Sequence, residues 1–177
     1  MSKQAKSAEQ EQQQKQEYRT VGISQFATPV GYVQVRASER AVLSVAFADD
    51  AVQEQANDIS EHAKGQLIEY FAGARSTFDI PLSPKGTQFQ QQVWNALQQI
   101  AYGEVASYLD IAQAVGNVKA CRAVGAANGK NPIAIIVPCH RIIGSNGKLT
   151  GYAGGMSRKA FLLSLESNQQ RLFIENI

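Results

Sequence analysis

The chain is built around Ile133-Ala134-Ile135-Ile136-Val137-Pro138-Cys139-His140-Arg141. Residues 133–137 are five apolar residues, too few for a helix and rich in β-branched side chains, and they predict a fully buried strand. Pro138 has no N–H for a sheet ladder, so pairing is expected to stop there. Cys139 and His140 then fall just past a buried strand, where loops that carry chemistry are commonly held. Adjacent side chains of an extended strand point to opposite faces, so the two cooperate only if the backbone turns or a water bridges them. Pro138 favours the turn. A thiol in apolar surroundings is pushed toward its neutral form, and the thiolate is the nucleophile, so a reactive Cys139 requires a base such as His140. Free cysteines are also common packing residues, and on these two residues alone packing is the better reading.

At 177 residues, with 44% hydrophobic and 18% charged side chains, the composition is that of a globular protein of one or two small domains. No apolar run is long enough to cross a membrane, and the first residues lack the apolar centre of a signal peptide. Membrane partners are therefore not expected. The two cysteines lack any paired-Cys zinc spacing, which argues against a disulfide framework and for a reducing compartment. The net charge of +2 hides an asymmetry: residues 1–82 carry 8 basic and 11 acidic side chains (−3), residues 83–177 carry 9 and 4 (+5). The basic half is a mild pointer to a polyanion. A solvated surface explains it almost as well.

Upstream, residues 1–17 are polar and aperiodic, and are expected to form a disordered tail. Three β-branched or aromatic segments, 22–26, 31–36 and 42–47, are separated by turn residues and predict an antiparallel meander. Residues 58–71 place Ile59, Ala63, Leu67 and Phe71 in helical order. This unit shows no evident chemistry. Residues 80–86, with two prolines and a glycine, form the best boundary, giving domains at 18–82 and 83–170 and a C-terminal tail at 171–177.

Beyond the boundary, Thr87 with Gln90 is a capping-box pattern opening a helix with a stripe of Phe89, Val93, Leu97 and Ile100, expected to end at Tyr102-Gly103. Trp94 borders that stripe and reads as core. Ser107 with Asp110 caps a second helix stopped by Gly116, and Asn117 is placed to cap a third running to about Asn128. Two short helices joined through Gly-Asn outline a helix-turn-helix, a weak signal by itself. On the third helix Lys119, Arg122, Ala123 and Ala126 share one face, with Cys121, Val124 and Asn128 opposite. A flat, cationic face of alanines with one arginine suits a nucleic-acid groove, although few of its side chains discriminate base edges. A solvent-facing helix with alanines chosen for propensity is about as good an account. Asn131 stands where its side chain can bond nearby backbone and fix the cysteine relative to this helix. The last helix, expected over 157–167, buries Phe161, Leu162 and Leu165 and brings Glu166 to the margin of the stripe. Cys139, His140 and Glu166 then follow the logic of nucleophile, base and orienter.

Residues 86–168 resemble the O6-alkylguanine-DNA alkyltransferases (methylated-DNA–protein-cysteine methyltransferases). The resemblance rests on Phe89-Gln90-Gln91-Gln92-Val93-Trp94, Gly103-Glu104-Val105-Ala106-Ser107-Tyr108, Arg122-Ala123-Val124-Gly125, Asn131-Pro132, Val137-Pro138-Cys139-His140-Arg141 and Gly151-Tyr152-Ala153-Gly154-Gly155, in the family's order and spacing. Residues 18–82 resemble the family's ribonuclease H-like N-terminal domain more loosely. The implied fold is α+β, a small antiparallel sheet with a helix followed by a mostly helical domain with a winged helix-turn-helix.

The implied activity is single-turnover DNA repair, moving an alkyl group from O6-alkylguanine in duplex DNA, or from O4-alkylthymine, to the protein's own cysteine after base flipping through the minor groove. By resemblance, Cys139 is the acceptor, His140 its activator through a water, Glu166 the orienter of the imidazole and Asn131 the hinge residue. Arg122 resembles the arginine finger, with Lys119, Ala123, Ala126 and Arg141 as companion DNA contacts. Tyr108 is similar to the tyrosine that closes on the flipped base, although it also lies in line with Ile111 and Val115 and so fits the core. The carbonyls of Cys139 and Ile142 are expected to accept from the guanine amine, and the backbone N–H at Ala153, where other members carry Ser, to donate to its oxygen. The zinc ligands of some members are missing, so no metal and no cofactor is expected. The resemblance further implies a monomer, with cooperative DNA binding open, in the cytoplasm, at the nucleoid or in a nucleus according to source. Rivals are a non-catalytic lesion-binding protein of the same fold, a Cys/His hydrolase, and a helix-turn-helix regulator without chemistry.

Overall fold

The structure is a computed structural model that describes residues 21–174, with side chains through residue 167. The expected tail at 1–17 lies outside the described residues. Strands β1 (Gly22–Thr28), β2 (Gly31–Ala37) and β3 (Val42–Ala48) form an antiparallel sheet in that order. Thr28 pairs with Gly31 across a two-residue turn, and Gly31 takes φ +110°, a conformation glycine adopts without a Cβ penalty. Val33, Val35, Val42 and Val45 are fully buried. They lie under helix α1 (Asp58–Phe71), which runs over the residues its periodicity predicts. Asn57 and Ser60 close a capping box at its start, and Asn57 Nδ2 also donates to the carbonyl of Ala37 at 2.9 Å, pinning helix to sheet.

The second half is mostly helical. Helix α2 (Gln88–Leu97) opens with the Thr87–Gln90 capping box and buries Val93, Trp94 and Leu97. It stops at Leu97, earlier than its apolar stripe predicts, and Ile100 reaches the core from a turn. Trp94 is core, as expected: it is 1% exposed and its Nε1 donates to the carbonyl of Ala127 at 2.9 Å. The short strands β4 (Ala106–Ser107) and β5 (Ile142–Ile143) pair in parallel. Helices α3 (Tyr108–Ala114) and α4 (Cys121–Gly129) pack on one another across a turn that begins at Gly116, φ +80°. Helix α4 starts later than expected. Asn117 accepts from the Lys119 amide in a local turn, so it does not cap the helix, and Lys119 precedes α4 instead of riding on it. Helix α5 (Met156–Ile174) runs beyond the predicted end and takes in residues 171–174 of the expected tail. The architecture is α+β.

The predicted strand at 133–137 is not one. Ile133 makes a single parallel bridge to Val45, and the chain then coils through turns to Pro138. Asn131 is the cause. Its Oδ1 accepts from the Ile133 amide at 3.0 Å, and its Nδ2 donates to the carbonyls of Ile133 (3.3 Å) and Val137 (2.8 Å). Ile135 takes φ +71°, where a β-branched residue is strained. The apolar content still marks burial correctly, since Ile133, Ile135, Ile136 and Val137 are all in the core. This coil passes under β3 through hydrogen bonds of Val45 N to Pro132 O (3.0 Å) and Ala134 N to Val45 O (2.9 Å). The two halves of the chain therefore meet directly at the reactive segment.

Candidate active site

After Pro138 the backbone winds into a short 3-10 turn, Cys139–Arg141, which sends three successive side chains in different directions. Cys139 points toward a cavity of about 200 Å³ that it lines with Asn128, Asn131, Tyr152 and Ala153. The thiol is 5% exposed. Burial pushes it above its ordinary range, while Asn131 Nδ2, 3.0 Å from Sγ, pulls the other way by favouring the thiolate. One amide thus shapes the coil and polarises the sulfur.

His140 is fully buried, and burial holds it below its ordinary range, in the neutral form. Its Nε2 lies 2.7 Å from Glu166 Oε1 on α5. A carboxylate only accepts, so the imidazole proton sits on Nε2 and the Nδ1 lone pair is left free; Nδ1 is buried with no protein partner. Glu166 is itself fully buried. Burial alone would raise its carboxyl, but the hydrogen bonds and charges of His140 and Arg141 overcome that and bring it down to about 2. Arg141 Nε and Nη2 clamp the two oxygens at 2.9 and 3.0 Å, the Gly103 amide donates to Oε2 at 3.2 Å, and Tyr70 Oη donates to Oε1 at 2.7 Å.

The other expected contacts fall into two groups. Arg122, Ala123 and Ala126 are exposed on α4, with exposed Lys119 just before it. Cys121 is half-buried on the inner side, and its Sγ lies 3.6 Å from the Val118 carbonyl. Tyr108 is half-buried, packs beside the core, and shares a 2.7 Å hydrogen bond with Thr150 Oγ1. Its ring lies against Gly125, where a Cβ would meet it at 3.6 Å. Arg141 is a correction: expected among the DNA contacts, it is 6% exposed, and its guanidinium is taken up by Glu166 and, at 2.7 Å, by the Ile100 carbonyl. The carbonyl of Ile142 already accepts from Lys159 Nζ, which also reaches the Thr150 carbonyl at 3.1 Å.

Sequence reasoning did not single out Lys159, Tyr152, Asn128 or Tyr70 as site residues. Lys159 is fully buried; burial lowers its ammonium while Cys139 opposes that. A signal was present, because Lys159, Leu162 and Glu166 recur at i, i+3 and i+7 along one buried face of α5. Tyr152 has its hydroxyl buried beside Cys139, and burial, reinforced by that thiol, pushes its phenol well above the usual range. Among the described residues, no cluster of three or more His, Cys, Asp or Glu side chains could hold a metal ion.

Comparison with known proteins agrees with this geometry. Residues 88–168 match the family model of the 6-O-methylguanine DNA methyltransferase DNA-binding domain, and residues 23–84 that of its ribonuclease-like domain. The methylated-DNA–protein-cysteine methyltransferase of Methanosarcina acetivorans is 48% identical over 150 residues, 81% of this chain and 96% of that protein. Among solved structures, the O6-methylguanine methyltransferase of Mycobacterium tuberculosis superposes with TM-score 0.77 at 41% identity, covering 87% of this chain and 99% of its own. The M. tuberculosis protein in complex with DNA gives TM-score 0.75 at 44% identity, covering 82% and 92%. With a cysteine in a pocket, a histidine fixed by a buried glutamate, and relatives matching along both halves, the chain belongs to the methylated-DNA–protein-cysteine methyltransferase family.

Proposed function

We propose that this protein repairs DNA by taking the alkyl group of O6-alkylguanine onto Sγ of Cys139, one event per molecule. The observation that carries the reading is the position of Sγ: it lines a cavity small enough for a single base, with the Asn131 donor 3.0 Å away and a neutral imidazole on the next residue. The exposed Arg122, Ala123 and Ala126 surface of α4 is the face offered to DNA, and Arg122 is the side chain that fills the gap left by the extruded base. Lys119 adds a cation at the near end of that face.

In the chemical step the Cys139 proton passes through a bridging water to Nδ1 of His140, the atom whose lone pair Glu166 leaves free. Sulfur then attacks the alkyl carbon. The S–C bond forms, the C–O6 bond breaks, and its electron pair leaves on the guanine oxygen, to which the Ala153 N–H donates. The imidazolium stays paired with Glu166, whose carboxylate is ionised throughout. Both carbonyls accept from the guanine amine alongside partners they already hold: Cys139 O receives the Ile142 amide and Asn128 Nδ2, and Ile142 O receives Lys159 Nζ. Tyr108, the first residue of α3 with its ring against Gly125 of α4, closes on the extruded base. The product is a thioether, which nothing beside it hydrolyses, so the sulfur is consumed.

The test is intact-mass measurement after incubation with a duplex oligonucleotide carrying O6-methylguanine. A stoichiometric gain of about 14 Da, lost in Cys139→Ala while lesion binding persists, supports transfer. Continued ester turnover with no lasting mass change would instead identify a Cys/His hydrolase. Lesion binding by the wild-type protein with no mass gain would identify a binding protein.

A further inference from the structure

The N-terminal half looks like scaffold when read as sequence, yet it places one polar atom in the catalytic network. Tyr70, on the last turn of α1, is fully buried, and its hydroxyl donates to Glu166 Oε1 at 2.7 Å. That is the same oxygen that receives the His140 proton, also at 2.7 Å. The ring is held by edge contacts with Phe71 and Tyr102, at centroid separations of 5.5 and 6.0 Å, so the hydroxyl has little freedom to aim elsewhere. We infer that Tyr70 is a positioning residue for the alkyl transfer, acting through Glu166 to set the orientation and basicity of His140.

The argument is electrostatic. Each donor to Oε1 draws off part of the negative charge that would otherwise stabilise an imidazolium. Tyr70 therefore makes Glu166 a weaker partner for charged His140 and keeps the resting imidazole neutral, able to take the thiol proton. The other charged or titratable groups around His140 are Glu166 and Lys159 of α5, and Arg141 and Cys139 of its own turn; Tyr102 lies close to Glu166 and Arg141. None of these comes from the N-terminal half. Tyr70 stays a donor at any working pH, because burial beside a carboxylate holds its phenol well above the usual range.

The inference rests on the alkyl-transfer reading above, and the experiment separates the two. Transfer from free O6-benzylguanine, followed by mass from pH 5 to 9, reports the base without any contribution from base flipping. In Tyr70→Phe, which keeps the ring, the acidic limb of the rate profile is expected to move up by about half a pH unit or more, with the rate at pH 6 reduced about threefold or more. Replacing Tyr70 by a ring-fluorinated tyrosine, a stronger donor of nearly the same shape, is expected to move the limb down. A uniform loss at every pH with the limb in place, in either variant, overturns the inference and leaves Tyr70 a packing residue. If Tyr70→Phe does not fold, the direction of the fluorotyrosine shift decides alone. If the wild-type protein gains no mass from benzylguanine or from methylated DNA, the alkyl-transfer reading itself fails.

Discussion

Asn131 Nδ2 lies 3.0 Å from Cys139 Sγ and 2.8 Å from the carbonyl of Val137, so one amide group holds the sulfur and the coil that presents it. A hydrogen bond to a charged acceptor contributes roughly 1.5–3 kcal/mol. Asn131→Ala is therefore expected to raise the Cys139 thiol by a further one to two pH units, on the order given by 1.36 kcal/mol per unit. The pH dependence of iodoacetamide labelling at Cys139 measures it. An unmoved midpoint would mean that Asn131 serves only the backbone.

Glu166 ties stability to acidity. Its carboxyl titrates at about 2 in the folded chain against an ordinary 4.5, so on acidification the unfolded chain binds the proton first. The contribution, on the order of 3 kcal/mol, is intact above pH 4.5 and drains away as the pH falls toward 2. His140 acts in the same sense from below 6.5, because its folded form resists charging. Urea midpoints from pH 7 to 3 should fall in the wild type. In Glu166→Gln the unfolding free energy from the same curves should start lower, by about 3–5 kcal/mol, because buried Arg141 loses its charged partner, and should fall less steeply below pH 4.5. Equal slopes in the two proteins would contradict this account.

Arg122 is exposed on α4. Arg122→Ala is expected to slow transfer from an O6-methylguanine duplex roughly 10- to 100-fold, reflecting a flipping cost of a few kcal/mol. Transfer from free O6-benzylguanine should stay within about twofold. Equal losses on both substrates would remove Arg122 from the flipping step.

Trp94 is buried between α2 and α4, and a Cβ on Gly86 would come within 2.3 Å of its ring. Trp94→Phe removes the indole donor of the Ala127 carbonyl, leaving it the Lys130 amide at 3.2 Å, and opens a void. It should cost about 2–4 kcal/mol of stability while the rate of transfer at 25 °C stays within about threefold. A large rate loss without a fall in Tm would place Trp94 in the substrate site.

Helices α1, α2 and α3 were legible because each signal is local. Thr87 and Ser107 each start a helix with a side chain that reaches three residues ahead, and the buried faces of all three helices repeat at helical spacing. The start of α4 was not legible, because Asn117 can either cap a helix or close a turn, and chain direction decides which. The run Ile133–Val137 shows the same limit. Five apolar residues specify burial, but backbone conformation there was settled by Asn131, whose four short-range contacts bend the chain and hold Ile135 at φ +71°.

For the site, the order of motifs along the chain was enough to nominate Cys139, His140, Asn131 and Glu166, because each motif keeps its spacing in one sequence. No pattern along the chain could show that Tyr70 reaches Glu166 across 96 positions, that Arg141 turns inward to the same carboxylate, or that Lys159 occupies the carbonyl of Ile142. Those pairings depend on how two halves of the molecule are pressed together, where buried polar groups must find partners among whatever side chains the packing brings within reach. Periodicity reports which face of an element is buried. Which atom meets it from the other side is settled only when the chain has closed on itself.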